Sequence, residues 1–289
     1  MVAHASDGDL PECGGHYART PTASAAGCGP SYSRSGDSNP RTGRREMHVK
    51  VRTQEELDAA LARGDVAVLC EHGDYEVVAK GTDAPILIVM GREARLHLIA
   101  AMYSRPLIDA RGDSCPCVDA KGASKPHIVA MGCSHPIINA RDESAPRVEA
   151  WECSRPYVES CGAARPHIIA HENSAPDSMS WGGACRPYIE CWERSAPYIE
   201  SWGRNRPHVE AYGESEPLIK AMNDSAPSVV VWEDSRPHID CWDRSQPRID
   251  VRGSNAPIVN AYGESEPLIK SWGRPHDDAP EPRQEAPVG

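Results

Sequence analysis

All seven tryptophans of this chain, Trp151, Trp181, Trp192, Trp202, Trp232, Trp242 and Trp272, stand at the sixth place of a ten-residue period counted from a recurring proline, and Tyr212 and Tyr262 join them. Rows of large aromatic rings suit a flat contact surface for a glycan, a peptide or another repeat protein. The same rings can instead stack on one another and hold a sheet surface together, and this structural reading is slightly preferred. Two places earlier stand many acids, among them Asp109, Asp119, Glu149, Glu159, Glu190, Glu200, Glu210, Asp240 and Asp250. Rows of carboxylates could bind cations or imitate a phosphate backbone. A solvated face, met by Arg155, Arg186, Arg206 and Arg236, is the preferred reading.

His127, His167, His208 and His238 recur at the second place with no fixed carboxylate, Ser or Cys partner in the sequence. Inheritance of the repeat explains them better than catalysis. No HExxH, GxSxG or phosphate-cradling glycine loop occurs. The 11 cysteines are odd in number and form no CxxC pair; Cys115-Pro116-Cys117 lacks zinc-site spacing. Cys153, Cys161, Cys185, Cys191 and Cys241 replace small residues of the repeat and read as filler. No catalytic residue, no metal site and no cofactor is expected.

Net charge is −11 and the pI is about 5.5, which argues against a general nucleic-acid binder, because neutralising phosphates needs clustered Lys and Arg. No apolar run reaches the roughly 20 residues that span a bilayer, and the first residues lack the basic-then-apolar pattern of a secretory leader. With many cysteines and no evident disulfide framework, a cytoplasmic location is expected.

These residues are positioned by the repeat. Proline stands at 106 and every tenth residue to 176, then, after one inserted residue, at 187 and every tenth residue to 267. With proline as position 1, position 3 is nearly always Ile or Val, position 5 is small, position 7 is often Gly and position 9 is usually Ser. Alternation with period two is a strand with one buried face. The spacing predicts a strand over positions 2–6 and a bend over positions 7–10 plus the proline, which cannot donate to a ladder and so belongs at a corner. The Ser hydroxyl is expected to satisfy corner amides. Ten residues are too few to close a coil, so two units per coil are expected, giving about nine coils and a length of roughly 45 Å. Alternate tryptophans should then fall on opposite faces, Trp151, Trp192, Tyr212, Trp232 and Trp272 on one, Trp181, Trp202, Trp242 and Tyr262 on the other. Gly182-Gly183 should absorb the insertion as a bulge. The segment AYGESEPLIK occurs at 211–220 and 261–270, five units apart, so its copies should lie on opposite faces.

The fold class expected is therefore all-β, a β-solenoid (β-helix) behind a small α/β cap. Residues 1–46 lack periodicity and read as disordered, with Met47 a plausible natural start. Residues 47–85 read as the cap: a strand at 48–51, a capping box Thr53–Glu56 opening a helix stopped by Gly64, a strand at 66–70, a Gly73-Asp74 turn and a strand at 75–78. Residues 86–275 are the solenoid, and 276–289 an unstructured acidic, proline-rich tail. No Thr follows Thr82, against an ice-binding surface of Thr rows. Pentapeptide-repeat proteins share only the shape. The segment Thr53–Leu61 and units such as 148–154 and 209–215 resemble uncharacterised actinobacterial and phage proteins that join a TQEELxAAL segment to decapeptides of the type TVxAYGSA. This resemblance covers about residues 47–274, departs from the group in its corner prolines, and implies a solenoid without a known activity. The function expected is a non-enzymatic scaffold or binding surface for a protein or glycan. Self-association through the solenoid ends is open, and neither membrane nor nucleic acid is an expected partner. The alternatives are an acidic DNA mimic, and a polysaccharide-active β-helix, for which the long loops are missing.

Overall fold

The computed structural model describes residues 48–63, 66–69, 73–81, 87–90, 94–272 and 283–284. The expectations for residues 1–46, for Met47 and for Gly64 lie outside the described residues, as does most of the 276–289 tail. Two residues of that tail, Arg283–Gln284, do not lie in disorder: they pair with Asn260 and Ala261 as a short parallel strand.

The alternation of each unit dictates its fold. Positions 9, 1, 3 and 5 face inward and positions 10, 2 and 4 outward, so Ser134, Pro136, Ile138 and Ala140 are buried in succession. Strands occupy positions 2–5, as at Leu107–Ala110, Cys117–Ala120 and His127–Ala130. A tight turn at positions 7 and 8 separates each strand from the next extended stretch. From Val66–Leu69 onward, successive strands alternate between two parallel sheets, one of 12 strands and one of 11, which makes a β-solenoid of about 9 turns. Each coil consumes two units, so Val148 lies beside Ile128 and Ile168 in the first sheet. Ile and Val at position 3 are fully buried from Ile108 to Ile249, with Ser178 as the one polar substitute. Each such side chain stabilises the fold by about 2–3 kcal/mol.

The corners add one detail to the expectation and correct another. Proline stands at the corner as expected, but with its side chain inward: Pro106 through Pro247 are buried. Its fixed φ suits the kink before the strand, one donor per unit is lost there, and its carbonyl still accepts the ladder bond, as from His127 N to Pro106 O at 2.8 Å. The position-9 Ser hydroxyls do not accept from corner amides. The Ser backbone closes the turn instead, Ser154 N to Trp151 O at 3.1 Å, and the hydroxyl donates where its bond is seen, Ser235 Oγ to Trp232 O at 2.7 Å.

Position 7 adopts a left-handed backbone, the conformation that glycine favours, in every unit from Met102 to Gly263 but that of Gly253. Eight non-glycine residues hold it nonetheless, including Asp142, Glu152 and Glu233 with φ of 59°, 60° and 52°. These three carboxylates accept the position-7 amide of the preceding coil: Gly122 N to Asp142, Gly132 N to Glu152 and Gly213 N to Glu233, at 2.9–3.0 Å. A charge-assisted bond to an otherwise unpaired corner amide offsets the backbone strain.

The inserted residue is absorbed where expected. Ser160 pairs with Ser180 but Gly162 with Gly183, so Gly182 is the extra residue. A Cβ on Gly183 would lie 2.2 Å from Gly162 O, whereas one on Gly182 would meet nothing within 4 Å.

At the N-terminal end His48–Val51 and Val66–Leu69 already belong to the first sheet and Gly73–Lys80 to the second, so the expected cap has no boundary near residue 85. Gly73-Asp74 is not a turn; both residues lie in that strand. The helix Gln54–Arg63 closes the core end with buried Leu57 and Ala60. Thr53 Oγ1 accepts Glu56 N, while the Glu56 carboxylate reaches Arg52 N. The Gln54 side chain donates to Glu76 O and accepts from Glu76 N, at 2.8 and 2.9 Å, and so imitates a strand on the open edge of the second sheet. Among the described residues no helix is long and apolar enough to cross a membrane.

Candidate aromatic and carboxylate columns

The sequence-predicted aromatic residues form two columns, one beside each sheet. The first follows the strands of the first sheet. Trp151 stacks on His171 with ring centroids 3.8 Å apart and planes within 14°. Trp192 stacks on Tyr212 at 4.2 Å and Tyr212 on Trp232 at 5.9 Å, and the Arg252 guanidinium lies 4.6 Å over Trp232. These rings are half-buried because their faces cover each other; Trp272, on the last rung, is 69% exposed. A sugar stacks on a free ring face, so this column offers edges and not platforms.

The second column differs. Trp181, Trp202 and Trp242 are 48, 40 and 41% exposed. The indole N–H of Trp181 donates to Glu159 and that of Trp202 to Glu200, each at 2.7 Å, which fixes both rings. Trp242 stacks on Tyr262 at 4.1 Å. The nine residues thus do not form one site.

The position-4 acids are not a free charged row. On the first sheet they are interrupted by Val129, Ile169, Val230 and Lys270, and those that remain have partners. Asp109 is held by Arg111, Asp250 by Arg252 and Glu149 by Arg147. The arginines expected to meet them, at position 10, lie beyond the corner; the guanidinium groups that do so come from positions 2 and 6.

Each of the repeat histidines has a carboxylate neighbour, though at no single spacing. His97, His127 and His167 reach the position-4 acid of the next coil, Asp119, Glu149 and Glu190, at 3.3, 3.1 and 2.8 Å. His208 and His238 reach the acid of their own strand, Glu210 and Asp240, at 3.1 Å each. A further ring row results: Tyr188 is tilted against His167 with centroids 4.8 Å apart and stacks on His208 at 5.3 Å. Burial alone pushes the Asp119, Glu149 and Glu210 carboxyls up, but their hydrogen bonds outweigh it and hold them below the ordinary range: Asn139 and His97 at Asp119, Arg147 and His127 at Glu149, Tyr212 and His208 at Glu210. Burial, and after it the negative charges of Glu190 and Glu210, push Tyr188 up to about 12.

Of the cysteines expected as filler, Cys185, Cys191 and Cys241 are buried, and burial pushes the Cys185 thiol to about 11 and Cys241 to about 12, away from nucleophilic use. Cys153 is exposed and Cys161 half-buried. Sequence reasoning missed Asn205, buried at position 9 beside the bulge, which accepts Cys185 N at 2.9 Å and donates to Trp202 O at 2.7 Å. The turns are too short to wall a cleft; a groove of about 580 Å³ at one corner is lined by charges of both signs, among them Arg194, Glu214, Asp234 and Arg236. No family model matches this chain, and no curated protein or solved structure does.

Proposed function

We propose that this protein is a non-enzymatic scaffold or binding protein, and that the second sheet is its contact face, towards a protein or glycan surface. The observation that carries this reading is the exposure of Trp181, Trp202 and Trp242 on a sheet surface without loops. Exposed tryptophans held rigid by hydrogen bonds lose little entropy on binding and bury large areas. The first-sheet column supports a structural role instead, since its ring faces are occupied by neighbours.

Two triple variants separate the faces. Changing Trp181, Trp202 and Trp242 to Ser should abolish capture of the partner from the source cells while the thermal melt stays near wild type. Changing Trp151, Trp192 and Trp232 to Ser should lower the melting temperature and leave binding intact at temperatures where the variant is folded. Equal capture by wild type and the second-sheet variant rules this contact face out.

A further inference from the structure

We infer that His97, Cys117 and Asp119 form a binding site for a first-row divalent metal ion, with Zn²⁺ the best-fitting ion. The two-sheet topology builds the site. His97 and Cys117 are direct partners on neighbouring strands of the second sheet. Asp119 lies two residues beyond Cys117, hence on the same outward face. The imidazole nitrogen, the thiol sulfur and a carboxylate oxygen all lie within 4.8 Å of one another, and His97 Nε2 is 3.3 Å from Asp119 Oδ2.

The carboxylate is already oriented. Asn139, on the next coil, donates to Asp119 Oδ1 at 2.8 Å and leaves Oδ2 turned towards His97. Support of a ligand from outside the metal's own shell is what binding sites use to fix geometry. Mixed nitrogen, sulfur and oxygen donors suit zinc, whose bonds of about 2.0–2.3 Å place tetrahedral ligands roughly 3.3–3.8 Å apart. Closing from the present spread takes about 1 Å of side-chain adjustment, within reach of the 46% exposed His97 side chain. The thiol gives up its proton to solvent on binding, so thiolate and carboxylate together balance the ion's two charges. Lys121, near Asp119, is a cation that opposes the ion. Three protein donors leave a fourth position open to water or to a partner's side chain. The ligands lie on successive coils, so a bound ion would also tie those coils together.

The test is titration of the full chain with Co²⁺, a spectroscopic probe for zinc sites, followed by competition with Zn²⁺. One equivalent should bind, with a thiolate-to-cobalt charge-transfer band and the intense visible bands of a four-coordinate centre. Cys117→Ser should abolish the charge-transfer band, and His97→Gln and Asp119→Asn should each weaken binding at least tenfold. Asn139→Ala should keep the band and weaken binding by about tenfold. Cys115→Ser and Cys133→Ser should behave as wild type. All these side chains are outward, so thermal melts should show folded variants; if Cys117→Ser does not fold, His97→Gln and Asp119→Asn decide. A band that survives Cys117→Ser, or wild-type affinity in both the His97 and Asp119 variants, overturns the site.

Discussion

Single residues on the outer faces divide by what they lean on. Tyr212 lies between Trp192 and Trp232 and donates its hydroxyl to Glu210, so Tyr212→Ser removes two stacks and one charge-assisted bond. It should cost about 1–3 kcal/mol, read as a lower urea midpoint, whereas Trp202→Ser, at an exposed ring, should cost under about 1 kcal/mol. Equal losses would mean that both columns are structural. His171 gives a pH dependence whose sign follows from its surroundings. Burial against Trp151 lowers its pKa, and the surrounding acids, Glu149 first, only partly restore it. The unfolded chain therefore takes up this proton at higher pH than the folded one, so the contribution is complete above the ordinary value of about 6.5 and fades as pH falls below it. His171→Gln should shrink the loss of melting temperature between pH 7.5 and 5.5 relative to wild type; an unchanged loss would remove His171 from the account. The lowered carboxyls Asp119, Glu149 and Glu210 have the same sign further down, stabilising above the usual carboxylate range and ceasing to as pH falls through their folded values. The confinement of tryptophan to one position was legible in the sequence because it follows the ten-residue unit. The histidine–acid pairs were not, because the partner stands on the next coil, 22 or 23 residues away, or only two residues on in the same strand. The longer spacing emerges only once the two-unit coil is laid out, and the two spacings share no fixed pattern.

Among the elements, Asp177–Gly183 is the irregular strand. Its Ser178 occupies the aliphatic position between Val158 and Ile199, and its corner carries Gly182. Removing Gly182 leaves Trp181, Gly183, Ala184 and Cys185 at positions 6 to 9, which restores the exact period. The turn can then close through its own backbone, and Cys185 N no longer depends on Asn205. Deletion of Gly182 should therefore leave stability equal or raised. In wild type, Asn205→Ser should cost about 1–3 kcal/mol through the orphaned amide, and in the deletion background clearly less. This non-additivity in a double-mutant cycle is the measurement; full additivity would mean that Asn205 does not compensate for the insertion. The position of the bulge could be read from the broken proline spacing and the adjacent glycines. The role of Asn205 could not, because a single Asn among position-9 serines is indistinguishable from drift until the corner amide facing it is seen. The same limit hid the buried prolines. The missing donor of proline placed it at a corner, and period-two alternation, which sets position 1 on the inward face with positions 3 and 5, decides that its ring is buried there.

At the scale of the whole molecule, each coil touches mainly its two neighbours, so stability is close to a sum of equivalent rungs and interfaces. The open question is whether the module that adds is the coil or the single unit. Both sheets bury the same four positions with the same residue types, so a unit should fit either sheet. The chain contains its own instance. AYGESEPLIK at 211–220 leaves the first sheet and enters the second, whereas the same ten residues at 261–270 leave the second and enter the first. Deleting residues 131–150, one coil, joins Ala130 to Trp151 in register and should give a shorter solenoid that still melts cooperatively, with a smaller denaturant slope from the smaller buried area. Deleting residues 131–140, one unit, moves everything after it to the opposite sheet. It should also fold, with losses confined to outward pairs at the junction such as Asp119 with Asn139. Deleting residues 131–135 moves every later side chain by an odd number of places and turns the Ile and Val row outward, so far-ultraviolet circular dichroism should show most of the strand signal lost. If the one-unit deletion fails like the five-residue one, the corners are not interchangeable, and the coil is the true module despite the ten-residue period of its sequence.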